Sequence, residues 1–404
     1  MKKMIKSNKI LTAEIIDRIE ESASFSVLGK AKELEKSGEK IFHLEIGEPD
    51  FTPPEESINS LIESLKRGET HYTAAQGIPE LRREIVKYEK RFRHINITPE
   101  QVVITPGAKP MILFTLLSAV NPGEKVLYPD PGYLSYKSLI NFVGAVPVPY
   151  KLKKDKNFEI DLDDLRARVD NKTTCIIINS PSNPTGMVHS KEELKEILAI
   201  AKENNMLIIS DEVYSRIYFD GQKHLSITNL TEDRSNIILI DAFSKTYAMT
   251  GFRLGYGILP VELVGAVVKL IQNSFSCVPE FIQHAGVTAL SQGEMFISSM
   301  VKAFEERRDK VYAILSQIDG LKVFKPAAAF YFFPELQINI ESREYAEYVL
   351  NNYKIALLPG EAFGTYGRGH IRISFANSLE NLLEAATRIG DSIDKLKKEK
   401  GIKT

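Results

Sequence analysis

Along most of this chain, short apolar runs alternate with stretches in which apolar residues recur at helical spacing. Residues 13–36 carry the helical pattern up to Gly38, and the run at 41–46 has the composition of a strand. Helical spacing returns at 55–66 and 78–93. From about residue 100 the strand-like runs are 102–104, 125–128, 145–150, 173–178, 205–210, 236–241 and 254–259, with helical stretches at 108–119, 133–142 and 191–203. Strands that alternate with helices predict an α/β fold with a mostly parallel, doubly wound sheet. Beyond about residue 290 the rhythm changes. A long polar-faced helix at 295–316 precedes short strands near 321–333, 354–358 and 369–375, and a helix at 378–396 follows. This second pattern predicts a smaller α/β domain. The organisation expected is a large domain over 48–290 and a small domain assembled from 1–47 and 291–404.

The length of 404 residues agrees with two domains, because single cores stop growing near about 250–300 residues. Lys and Arg total 52 against 53 for Asp and Glu, so no overall field favours nucleic acid or a membrane surface. Lys2, Lys3, Lys6 and Lys9, and Lys395, Lys397, Lys398, Lys400 and Lys403, make both ends basic, as frayed solvated tails are. No apolar run reaches the roughly 20 residues that span a bilayer. The basic start leads to Glu14, Asp17 and Glu20 rather than to the apolar core of a signal peptide. Cys175 and Cys277 are the two cysteines, and Cys175 lies in an apolar run as a buried thiol would. The expectation is a cytoplasmic protein without a disulfide framework. The seven histidines show no ligand spacing, so no metal site is expected.

Ligands of open α/β sheets bind beyond the carboxyl ends of the strands, and the unusual polar residues of this chain cluster there. The run 173–178 leads into NSPSNPTG with Asn183, and 205–210 into DEVY with Asp211 and Tyr214. The run 236–241 leads into AFSKTYAMTGFRLG with Ser244, Lys245 and Arg253. After 102–104 comes TPGAKP, with Gly107, Ala108 and Lys109 where a helix begins. Each has a plain structural explanation: a turn, a helix cap, a solvated lysine, a surface ion pair. Their appearance together at successive strand ends fits one chemistry. A pyridine aldehyde phosphate needs a lysine amine for a Schiff base and a carboxylate for its ring nitrogen. It also needs donors to its phenolic oxygen, and a helix N-terminus with an arginine for its phosphate. Lys245, Asp211, Asn183 with Tyr214, and Gly107, Ala108 and Lys109 with Arg253 supply these in turn.

The motifs NPTG, SDEVY and SKTYAMTGFRLG closely resemble those of the class I/II aminotransferases, fold-type-I enzymes that use pyridoxal 5'-phosphate. The resemblance runs from about Glu45 to the C-terminal helix. It implies Lys245 as the Schiff-base lysine and proton carrier, Asp211 as the ring-nitrogen partner, and Asn183 and Tyr214 as donors to the phenolic oxygen. It implies Arg253 with the backbone of Gly107 and Ala108 as the phosphate cradle, and Tyr133 as the aromatic residue stacked on the ring; the neighbouring Tyr136 reads as a plain core aromatic. Arg372, in GHIRISFA, matches the arginine that grips the substrate α-carboxylate, and Gly47, in IGEPDF, the glycine whose backbone approaches it. Tyr72, in HYTAAQG, matches the tyrosine that reaches the neighbouring subunit's phosphate, which implies a homodimer with shared active sites. Ala242 departs from the pattern, since many relatives have a serine there; Ser244 is a candidate substitute.

The resemblance implies ping-pong transfer of an α-amino group from an amino acid to a 2-oxo acid. Lys109 stands where one branch of aspartate aminotransferases has a lysine facing the distal carboxylate, which suits aspartate or glutamate; its alternative is phosphate support or solvent. Amino-acid cyclases, lyases and oxidases share the scaffold, so they remain a rival reading. A cofactor-sensing regulator would carry a DNA-binding module, and only about 40 residues precede IGEPDF. A dinucleotide-binding protein would show G-x-G-x-x-G opening a helix, whereas GTYGRG (364–369) precedes a strand.

Overall fold

The computed structural model describes residues 12–21 and 23–400. Of the expected basic tails, Lys2, Lys3, Lys6, Lys9 and Lys403 lie outside these residues. The central sheet has eight strands in the order Val102–Thr105, Gly255–Ile258, Ile237–Ala242, Leu207–Asp211, Thr173–Asn179, Lys125–Asp130, Val146–Lys153 and Glu159–Ile160. The run from Ile237–Ala242 to Val146–Lys153 is parallel throughout. Gly255–Ile258 is antiparallel to both its neighbours, and Glu159–Ile160 closes the far edge antiparallel. Helices cover both faces of such a sheet, so its inner strands are buried on both sides and read as unbroken apolar runs. Ile176, Ile177, Ile178, Ile208, Ile209, Ile238 and Ile240 are all essentially inaccessible.

Local sequence sets the crossovers. Helix Lys191–Glu203 opens with a capping box: Glu193 N–H donates to Ser190 Oγ at 3.2 Å, and Ser190 N–H to Glu193 Oε2 at 2.7 Å. Strand Gly255–Ile258 needs glycine because a Cβ on Gly255 would lie 2.7 Å from the Gly107 carbonyl carbon. The parallel register pairs Asn179 with Asp211 and Asp211 with Ile240, which lines up the carboxyl ends along one edge.

The second body joins distant parts of the chain. Phe42–His43 pairs in parallel with Ile355–Ala356, while Tyr331–Phe332 and Leu358–Pro359 both flank Ile371–Ser374 antiparallel. Phe42 and Leu44 share one apolar core with Phe304, Phe330, Phe332, Ile355, Ile373, Phe375, Leu382 and Ile389.

Some elements differ from the pattern read off the sequence. Residues 13–36 form not one helix but a 3-10 turn, Glu14–Arg18, and a helix, Ala23–Lys36. Between them, Glu20 N–H donates to Ser138 Oγ at 3.4 Å and its carboxylate meets Lys137 at 2.6 Å, so these groups serve a tertiary contact rather than a continuing helix. The strand expected at 41–46 is ordered as strand only at Phe42–His43, and the Glu45 carbonyl accepts from Arg372 instead of a neighbouring strand. Helices Val261–Gln272, Glu280–Gln292 and Ser342–Tyr353 were not singled out by spacing. In Glu280–Gln292 the small residues Ala285, Gly286 and Ala289 fill much of the buried face, which weakens its apolar stripe.

Candidate active site

Beyond the carboxyl ends of Thr173–Asn179, Leu207–Asp211 and Ile237–Ala242 lies a cavity of about 510 Å³. Among its walls are Gly47, Ala108, Lys109, Tyr133, Asn183, Asp211, Tyr214, Ser244, Lys245, Arg253 and Arg372, most of the residues singled out above. Gly107 lies beside it as the N-cap of helix Ala108–Ala119, with φ of +93°. Its Cβ, if present, would lie 2.8 Å from Arg253 Nη2. Tyr72 is not in the cavity wall; it is 87% exposed on the surface of the chain.

Lys245 sits in the short helix Phe243–Thr246 that follows strand Ile237–Ala242. Its Nζ donates to the Gly47 carbonyl at 2.5 Å. Burial brings its pKa down to about 8; Glu48 opposes the shift, and the charges of Arg372, Arg253 and Lys109 reinforce it. Gly47 is glycine because Tyr331 Oη would lie 2.1 Å from any Cβ there.

Asp211 is 4% exposed and burial pushes its pKa up to about 6. It accepts from Tyr136 Oη at 2.6 Å and, weakly, from Val213 N–H at 3.4 Å. Tyr136 is therefore not just a core ring: its hydroxyl is the short donor to this carboxylate. Asn179 Nδ2 donates to the Asp211 carbonyl at 3.0 Å, and its Oδ1 accepts from Asn183 N–H at 2.9 Å, which locks the two strand ends together.

Arg372 is fully enclosed. Its Nη2 donates to the Glu45 carbonyl and its Nη1 to Asn183 Oδ1 at 3.3 Å. The guanidinium stacks 4.7 Å from the Tyr331 ring and 5.1 Å from that of Phe363, and its Nε has no hydrogen-bond partner among the described residues. Tyr331 Oη pairs with Tyr214 Oη at 2.8 Å, and Asn183 Nδ2 reaches Tyr214 Oη at 3.5 Å. Arg253 adopts φ of +53°, a left-handed conformation uncommon for non-glycine residues. That turn places its guanidinium between the carbonyls of Thr250 at 2.7 Å and Pro106 at 3.1 Å, against the N-terminus of helix Ala108–Ala119.

Lys109 extends over the Tyr133 ring, 5.7 Å from its centroid, and pairs with no carboxylate among the described residues. Phe25 and Leu28, from helix Ala23–Lys36, complete one wall. Sequence reasoning passed over Tyr136, Tyr331, Asn179, Phe25 and Leu28. Only Asn179 carried a signal, as the first residue of the NSPSNPTG run. Among the described residues no group of three His, Cys, Asp or Glu could hold a metal, and no helix is long and apolar enough to cross a membrane.

The cavity offers a buried carboxylate, an amine of lowered basicity, and the guanidinium groups of Arg253 and Arg372. Comparison with known proteins agrees. Residues 39–389 match the family model for aminotransferase class I and II. The aspartate aminotransferase of Bacillus sp. strain YM-2 is 36% identical over 94% of this chain and 98% of that protein. The (5-formylfuran-3-yl)methyl phosphate transaminase of Methanocaldococcus jannaschii is 40% identical over 91% and 96%. The solved structure of Thermus thermophilus aspartate aminotransferase with maleate superposes with a TM-score of 0.91, at 30% identity over 95% of this chain and 100% of that one. The chain belongs to the class I and II aminotransferases, enzymes of fold type I.

Proposed function

We propose that this transaminase prefers dicarboxylic substrates, moving α-amino groups between aspartate or glutamate and 2-oxo acids by a ping-pong cycle. The observation that carries the reading is Lys109, an ammonium on the cavity wall with no carboxylate partner among the described residues, in a cavity that a second cation, Arg372, also lines. An α-carboxylate on Arg372 leaves Lys109 for a distal one. The names of the relatives from Bacillus and Thermus are in line with it.

The residues present fit pyridoxal 5'-phosphate. Asp211 is a buried carboxylate with no basic partner among the described residues, suited to a protonated ring nitrogen, and Asn183 and Tyr214 are suited to the phenolic oxygen. Arg253 with the backbone of Gly107 and Ala108, helped by Ser244, suits the phosphate, and Tyr133 suits the ring face. Once bound, the cofactor supplies an electron sink for negative charge at the substrate α-carbon. Arg372 holds the α-carboxylate and so fixes which bond of that carbon faces Lys245. Lys245, its basicity lowered to about 8, can take up a proton from the α-carbon and release it near neutral pH. Phe25, Leu28 and Ile112 give that side of the cavity an apolar wall.

We also propose the remaining organisation: a large domain over 48–290, a small one from the two ends, a homodimer in which Tyr72 completes the neighbour's phosphate site, and a cytoplasmic setting. The exposure of Tyr72 and the unpaired Cys175 and Cys277 support the last two. The test of specificity is a panel of amino acids with 2-oxoglutarate or oxaloacetate, followed as keto acid formed, in wild type and Lys109→Met. Aspartate and glutamate should lead the panel, and the substitution should lower their kcat/KM about tenfold or more, some 1.4 kcal/mol, while sparing alanine. A flat panel, or equal losses for alanine and aspartate, removes the dicarboxylate preference. Because Phe25, Leu28 and Tyr133 line the same cavity, aromatic donors are the second reading, and their lead in the panel would establish it.

A further inference from the structure

The segment 42–47 links two site cations to the helix that walls the cavity. Within it, His43 and Glu45 meet through their side chains. His43 Nδ1 meets Glu45 Oε1 at 2.8 Å, and its Nε2 meets Glu35 Oε1, on helix Ala23–Lys36, at 3.1 Å. Glu45 is wholly buried, and its Oε2 has no hydrogen-bond partner among the described residues. The Glu45 main-chain oxygen accepts from Arg372, and two residues further the Gly47 oxygen accepts from Lys245. Arg372 also feels the Glu45 carboxylate, and its own Nε is without a hydrogen-bond partner among the described residues. Asn377 Nδ2 fixes the His43 carbonyl at 3.1 Å, so the segment is held from the small-domain side as well. A carboxylate left with a free oxygen in such a place is costly to keep unless it acts on a neighbouring charge.

We infer that Glu45 and His43 are positioning residues: Glu45 sets the orientation of Arg372, and His43 ties that setting to helix Ala23–Lys36 through Glu35. The grip on the substrate carboxylate and the placement of Phe25 and Leu28 over the cavity are then coupled. The inference rests on the reading of Arg372 as the carboxylate-binding cation.

The experiment is steady-state kinetics of the holoenzyme with alanine and with aspartate, for His43→Gln, Glu45→Gln, Glu35→Gln and Arg372→Lys. His43→Gln and Glu45→Gln should each raise KM about tenfold for both substrates with kcat within about twofold, the pattern of lost binding rather than lost chemistry. Their double variant should be no worse than the weaker-binding single variant, since both act along one path. Glu35→Gln, on a more exposed side chain, should raise KM by a smaller factor and keeps the test open if Glu45→Gln fails to fold. Unchanged KM in His43→Gln and Glu35→Gln, with Arg372→Lys impaired, overturns the inference alone. Additive losses in the double variant, or kcat falling with KM, also overturn it. Unchanged KM in Arg372→Lys overturns the carboxylate reading itself.

Discussion

Lys245 shows how one residue's surroundings set its chemistry. A solvated lysine amine is almost entirely protonated at neutral pH, and the protonated form is no nucleophile. Burial favours the neutral form, so in the protein without cofactor that form predominates above about 8 rather than above the ordinary value. The rate at which the apoprotein captures pyridoxal phosphate should therefore climb about tenfold per pH unit below 8 and level off above it. Stopped-flow absorbance across pH 6 to 10 checks this, and a rise continuing past pH 10 would contradict it. Most residues that line the candidate site stood out in the sequence because their types are unusual at strand ends: Asp211, Asn183, Lys245 and Arg253 are polar or charged groups just beyond apolar runs. Tyr136 and Tyr331 were illegible for the opposite reason. Neither stands at a strand end in a polar motif, and only the fold shows that one hydroxyl serves Asp211 and the other serves Tyr214.

Between elements, the strand ends behind the site are joined by one buried arginine. Arg93, beyond helix Pro79–Phe92, pairs with Glu89 at 2.7 Å, Glu212 at 2.9 Å and Asp241 at 2.6 Å, all almost inaccessible. Glu212 follows Asp211 directly, and Asp241 precedes the turn that presents Lys245. Removing the arginine leaves buried carboxylates without their cation, a situation that typically costs about 3–5 kcal/mol. Arg93→Met should lower the stability of the protein by about that much in a urea unfolding series. A loss below about 1 kcal/mol would mean that the carboxylates find other partners or protons. Spacing along the chain could announce only the i,i+4 pair of Glu89 and Arg93, because Glu212 and Asp241 are single charges at the ends of two other elements.

Across the whole molecule, the parallel sheet was legible because strands covered on both faces must be continuously apolar. The antiparallel insertion of Gly255–Ile258 was not, since strand order depends on which helices pack where and leaves no mark in a single run. If Tyr72 completes a neighbour's phosphate site as proposed, sedimentation should give the mass of a dimer. Tyr72→Phe should then weaken cofactor retention on dialysis without altering that mass. A monomeric holoenzyme would remove the shared site.

The pairing of Phe42–His43 with Ile355–Ala356 has a consequence in time as well as in space. A ribosome adding about 5–20 residues each second needs roughly 15–60 seconds to travel between those two segments. Until then Phe42 and Leu44 have no strand to lie against, and Arg372, made later still, has not yet met the Glu45 carbonyl. During synthesis the sheet can gather its strands in turn, whereas the beginning of the chain waits, its apolar side chains open to any passing partner. A nascent chain stalled before residue 355 should therefore offer holding chaperones the segment around Phe42, and full-length chains should withdraw it.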